Sequence, residues 1–152
     1  MTRMIALAAS AALLATPALA CDDLAVQDAY ARASTPMSTS GAAFMRLVNS
    51  GDAECHITGV RSDAARRTEM HTHIQDDNGV MRMRQLEDGF RVPAGGAHAL
   101  QRGGDHVMFM GLNAPFVQGN MLNVVFVFED GSEHAFEVPV DLQRTPNQMP
   151  ED

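Results

Sequence analysis

Between residues 24 and 141 apolar and polar positions alternate over short stretches, and clusters of glycine, proline, asparagine and aspartate divide one stretch from the next. Alternation with a period of two is the signature of strands, whose side chains point to opposite faces in turn; a helix would repeat every 3.6 residues. Eight strands are predicted on this basis: "AVQDAYARA" (25–33), "GAAFMRLVN" (41–49), "CHITGVR" (55–61), "EMHTHI" (69–74), "VMRMRQL" (80–86), "HVMFMGL" (106–112), "MLNVVFVFE" (121–129) and "HAFEVPV" (134–140). The intervening "NSGD", "DDNG", "PAGG", "RGGD", "APFVQGN" and "EDGS" are turn chemistry. Only "SDAARR" (62–67) has the composition of a helical turn. So many short strands at this spacing predict one antiparallel β-sandwich with Greek-key connections. The last ten residues, 143–152, are polar with two prolines and are expected to form a flexible tail.

The chain begins differently. Residues 1–20 carry one early arginine, an apolar middle and an Ala18-Leu19-Ala20 ending, the layout of a secretory signal peptide cleaved before Cys21. The expected domain is therefore 21–142, exported, and no other stretch approaches the apolar length of a membrane span. Loss of Arg3 with the leader takes the formal net charge from −8 to −9. Such an acidic chain argues against nucleic acid or an anionic membrane face as partners. Two cysteines remain, Cys21 and Cys55. In an oxidising compartment the pair reads as a disulfide. The alternative is a lipid on Cys21, but Ala18 stands where lipoprotein signals usually carry Leu, so the disulfide is favoured. Nothing resembles C-x-x-C.

Two stretches combine imidazole with thioether. "EMHTHIQDDNGVMRMR" (69–84) holds His71, His73, Met81 and Met83; "GGDHVMFMGL" (103–112) holds His106, Met108 and Met110. A methionine in a strand is most often core filler and a lone histidine most often surface, so His56, His98 and His134, with Met37, Met45, Met70 and Met121, receive no role. The first stretch reads as a hairpin with two possible registers. A two-residue Asn78-Gly79 loop sets Met83 opposite residue 74 and separates the histidines from the methionines. A three-residue Asp77-Asn78-Gly79 loop, with Gly79 in the left-handed conformation, sets Met83 opposite His73 and gathers residues 71, 73, 81 and 83 on one face. In the later strand His106 and Met108 share a face at i and i+2. Two imidazoles and two thioethers form a soft, uncharged donor set that suits Cu(I) better than Zn(II). Four protein ligands leave no open position, which describes a carrier and not an enzyme. No HExxH, nucleophile-elbow or phosphate-loop signature is present.

"TEMHTHIQDDNGVMRMR" followed by "VPAGGAHALQRGGDHVMFMGL" resembles the periplasmic copper chaperones of the PCu(A)C family, and the likeness extends over about residues 24–141. Its signature is a histidine, a methionine about a dozen residues on, and a distant His-x-Met. The pattern falls on His71, Met83, His106 and Met108, with the interval from Met83 to His106 one residue longer than usual. The resemblance implies a cupredoxin-like β-sandwich whose four ligands bind Cu(I). It also implies periplasmic delivery of copper to cytochrome c oxidase, at the binuclear copper site of subunit II, alongside a thioredoxin-like Sco-type chaperone. Sequestration for copper tolerance would use the same site, and an exported β-sandwich interaction module without metal is the remaining alternative. His73 and Met81 stand as substitute ligands, supporting residues or exposed side chains. A blue-copper electron carrier is not expected, because Cys55-His56 lacks the following His and Met that such a site needs.

Overall fold

The computed structural model describes residues 21–145. Ten strands make up the fold: β1 (Leu24–Arg32), β2 (Ser40–Asn49), β3 (Cys55–Arg61), β4 (Ala65–Gln75), β5 (Met81–Gln85), β6 (Phe90–Val92), β7 (Ala97–Leu100), β8 (His106–Leu112), β9 (Met121–Phe128) and β10 (Glu133–Pro139). One sheet runs β1-β2-β8-β4-β5, with β7 pairing on the far half of β2 beyond β8; the other runs β10-β9-β3-β6. Every strand ladder is antiparallel, and the chain changes sheet at β2–β3, β3–β4, β5–β6, β6–β7 and β8–β9.

The alternation sorts side chains as expected. Ala43, Met45 and Leu47 of β2, Val107 and Phe109 of β8 and Met70 of β4 point inward. They meet Ile57 of β3, Phe90 of β6 and Val124, Phe126 and Phe128 of β9, and all of these are buried. Burying an aliphatic or aromatic side chain of this kind stabilises the fold by roughly 1.5–3 kcal/mol each before the entropy cost of ordering it. Met45 and Met70 are thus filler. The opposite face of β2, β8, β4 and β5 carries Ala42, Phe44, His106, Met108, Glu69, His71, His73, Met81 and Met83.

Cys21 and Cys55 form a disulfide, Cα–Cα 5.4 Å, which ties the segment before β1 in the first sheet to β3 in the second. Closing that loop is worth about 3–4 kcal/mol in the chain-entropy picture.

Two readings need correction. "SDAARR" makes no helical turn: Asp63 and Ala64 turn, and Ala65, Arg66 and Arg67 already belong to β4, pairing with β8 from Ala65↔Leu112. The stretch read as loop between the second hairpin strand and His106 holds β6 and β7. Both are short, and the tight turns at Gly89 and Pro93–Gly96 hide their alternation. At the far end Arg144 pairs with Asp28 and lies 4.4 Å from the Tyr30 ring centre, so packed chain runs beyond residue 142. Residues 1–20, expected as leader, and 146–152, expected as tail, lie outside the described residues.

Candidate metal centre

The hairpin adopts the register that gathers histidines and methionines. Its partners are His71↔Gln85, His73↔Met83 and Gln75↔Met81. The loop is the three-residue one: Asp76 N–H donates to Val80 O at 2.9 Å, and Gly79 takes φ +80°, which glycine adopts at no steric cost. Asp76 secures it, its carboxylate accepting from Asn78 N at 3.0 Å, Val80 N at 2.9 Å and Arg82 Nε at 2.7 Å. Those bonds hold the Asp76 carboxyl below its ordinary pKa, the Arg82 contact first.

On the other side of β4, His71 pairs directly with His106 and Glu69 with Met108. Facing pairs on adjacent strands are close neighbours. The His106 ring lies 5.9 Å from that of His71 and 5.2 Å from that of His73, centre to centre. Met83 and Met108 line one open cleft of about 410 Å³. The sheet therefore brings both halves of the expected set, His71 with Met83 and His106 with Met108, onto one face.

Hydrogen bonds orient the rings. His106 Nδ1 donates to Gly104 O at 3.0 Å, and His73 Nδ1 donates to the same carbonyl at 3.3 Å. His71 Nε2 donates to Glu69 Oε2 at 3.0 Å, and the other oxygen of Glu69 forms an ion pair with Arg67 Nε at 3.2 Å. Each bond commits one ring nitrogen and leaves the other as a lone-pair donor, the arrangement that fixes a metal-binding tautomer. The remaining nitrogens, His106 Nε2 and His71 Nδ1, are buried and have no hydrogen-bond partner. An unpaired buried polar atom costs roughly 1–3 kcal/mol, so two of them facing one side of a sheet call for a ligand. Burial also pushes the His106 pKa down. The Gly104 carbonyl opposes that shift only in part, and His73 and His71 add to it. The shift favours the neutral imidazole, the form in which it can bind a metal.

Exposure is graded across the set. His106 is 1% exposed, His71 mostly buried, Met108 half-buried and Met83 52% exposed on the edge strand β5. Met81, 53% exposed, lies one residue pair further out, opposite Gln75. Met110 continues the row, but its sulfur accepts from Arg67 at 3.5 Å. Among the described residues no three His, Cys, Asp or Glu side chains are grouped to hold a metal without sulfur. Thioether donors on this face would favour a soft ion. Glu69 and the Gly104 carbonyl were not read from the sequence. Glu69-x-His71 carried the signal for the first, being two positions apart in a strand; nothing local marked the second.

The sandwich is the cupredoxin-like fold of PCuAC domains. It superposes on a copper-bound PCuAC domain from PmoF2 with a TM-score of 0.64 at 21% identity, covering 82% of this chain and 97% of that one. It also matches the solution structure of apo-DR1885 from Deinococcus radiodurans, with a TM-score of 0.62, 27% identity and coverage of 94% and 95%. For Cu(I)-DR1885 the TM-score is 0.58 at 30% identity, covering 78% and 79%.

Within that class the chain belongs to the LpqE-like family, whose model, described as "Putative lipoprotein LpqE-like", matches residues 24–140. A relative from Leifsonia xyli subsp. xyli, "Putative lipoprotein Lxx21020", is 36% identical over 125 residues, 82% of this chain and 74% of the relative. Among the described residues no helix is long and apolar enough to cross a membrane.

Proposed function

We propose that this chain is an exported Cu(I) carrier in which His71, Met83, His106 and Met108 hold the ion. The observation that carries this reading is the pair of buried, unpartnered nitrogens, His106 Nε2 and His71 Nδ1, on the sheet face that also bears the two thioethers. Cu(I), a closed-shell ion, accepts such an N₂S₂ set without a geometric penalty. The copper-bound PmoF2 domain and Cu(I)-DR1885, which share this fold, support the choice of metal. Residues 1–20 direct export to the periplasm and 21–142 carry the function, with the bonded Cys21 supporting a form without a lipid anchor.

The graded exposure supports delivery over storage. An acceptor meets Met83 first, displaces a neutral thioether, and reaches the buried imidazoles last. The recipient follows from the family resemblance: the binuclear copper site of cytochrome c oxidase subunit II, together with a Sco-type chaperone. Sequestration predicts the same binding without release.

The test is an anaerobic Cu(I) competition titration of the mature chain against a chromogenic chelator. One equivalent should bind tightly. His106→Ala and Met83→Ala should each lose at least the roughly 10–100-fold that removal of a supporting hydrogen-bond partner costs a metal site. Binding that both substitutions leave unchanged would sink the reading. Transfer to a soluble copper domain of subunit II then separates carrier from store.

A further inference from the structure

The cleft that Met83 and Met108 line is also lined by Arg32 at the end of β1 and Arg102 in the turn before β8, with Ser34 and Ser40. Both arginines are half-buried, yet neither meets a carboxylate among the described residues. Arg32 has only a 3.5 Å contact to the Arg144 carbonyl. Glu69 pairs with Arg67 and His71, Asp105 with His98 and Asp28 with Arg144, while Asp141 accepts from Gln118 Nε2 and Gln143 N. Two half-buried guanidinium groups lining one cleft, with no carboxylate partner among the described residues, form an arrangement that an anion would favour. They stand out in a chain whose formal net charge is −8.

We propose that this cleft binds a carboxylate group of the incoming copper acceptor, an inference that rests on the Cu(I)-carrier reading for the identity of its occupant. Guanidinium–carboxylate hydrogen bonds are charge-assisted and directional, and the Ser34 and Ser40 hydroxyls supply further donors. The carboxylate would sit in the cleft that Met83 and Met108 also line. An acceptor anchored there presents its own soft donors to the exposed thioether, so transfer begins inside a docked complex and not by free release. An acidic rim on the acceptor would be steered to this face by the same two charges.

The turn that holds Arg102 also serves the metal face. Gly103 takes φ +80° within the turn Gln101–Gly104, closed by Gly104 N donating to Gln101 O at 3.0 Å. Its Gly104 carbonyl orients His73 and His106. One turn thus positions both the imidazoles and a wall of the anion cleft.

The experiment compares how fast two Cu(I) chelators strip the loaded protein. One is bicinchoninate, which bears two carboxylates; the other is neocuproine, which is uncharged. Wild type should yield copper to bicinchoninate about 5–10-fold faster than to neocuproine at low ionic strength, with the preference fading as salt shortens the Debye length to about 10 Å near 0.1 M. Arg32→Gln and Arg102→Gln, made separately so that one failure to fold does not end the test, should each abolish most of that preference. Cu(I) affinity should stay within about threefold of wild type. A preference unchanged in both variants overturns the anion cleft. Should wild type bind no Cu(I), the carrier reading fails, and the cleft is judged on the metal-free protein. Bicinchoninate must then shift the Met83 and Met108 methyl resonances in wild type and not in Arg102→Gln, and absence of that shift overturns it.

Discussion

Glu69 accepts a hydrogen bond from His71 Nε2, which leaves Nδ1, buried and without a hydrogen-bond partner, as the nitrogen free to bind a metal. Glu69→Gln keeps the size and removes the charge that strengthens that bond. Cu(I) affinity should fall roughly 10-fold, within the range for partners of metal-bound histidines. Chelator competition checks this, with circular dichroism to show that the fold is intact. His106 gives a pH dependence. Its folded pKa lies below the ordinary value near 6.5, chiefly through burial. In the metal-free protein the unfolded state therefore binds a proton that the folded state refuses. Stability should be unaffected by this group above the ordinary histidine value and decline as pH falls below it, toward the depressed folded value. Urea unfolding at a series of pH values should show that decline, and His106→Gln should flatten it.

Among the elements, the β4–β5 hairpin is the vulnerable part. All of β5 is exposed and it forms the free edge of its sheet, so its order rests on its pairing with β4 and on the Asp76 loop. Gly79→Ala forces a side chain into φ +80°, at a cost of about 1–2 kcal/mol. Because β5 adds nothing to the core, that strain should appear as local fraying and not as a large loss of global stability. Faster amide exchange confined to β5, with weakened Cu(I) binding through Met83, is the expected result. Unchanged exchange would mean that another contact holds the strand. Asp76 adds its own signature. Its carboxyl is held below the usual range, so its contribution is present above the ordinary carboxylate pKa and is lost as pH falls through the lowered one.

Across the whole molecule the disulfide and the metal face lie on different parts of the sandwich. Cys55 belongs to β3 in the second sheet, whereas the candidate ligands occupy the outer face of the first. Replacing both cysteines by serine should lower stability by about 3–4 kcal/mol. Cu(I) affinity measured well below the unfolding transition should change little. Denaturant unfolding beside a chelator titration separates the two effects; a parallel collapse of affinity would mean that the staple shapes the metal face. At this scale the division between sequence and tertiary structure becomes clear. Strand alternation, the turn residues and the cysteine pair were legible in the chain, and so was the shared face of His106 and Met108, because a period of two assigns each strand side chain to a face from local sterics alone. β6 and β7 were not, since three- and four-residue strands beside tight turns leave too little pattern. The hairpin register remained open until Asp76 was seen to hold the three-residue loop. Beyond the β4–β5 hairpin, which strand lies beside which was not legible in the sequence. Only packing of the two sheets set β8 against β4 so that His106 meets His71, brought the Gly104 carbonyl to two imidazoles, and gathered Arg32 and Arg102 at one cleft. Alternation decides which way a residue points, but a neighbour dozens of residues away is chosen by the total burial of the core, which no local pattern encodes.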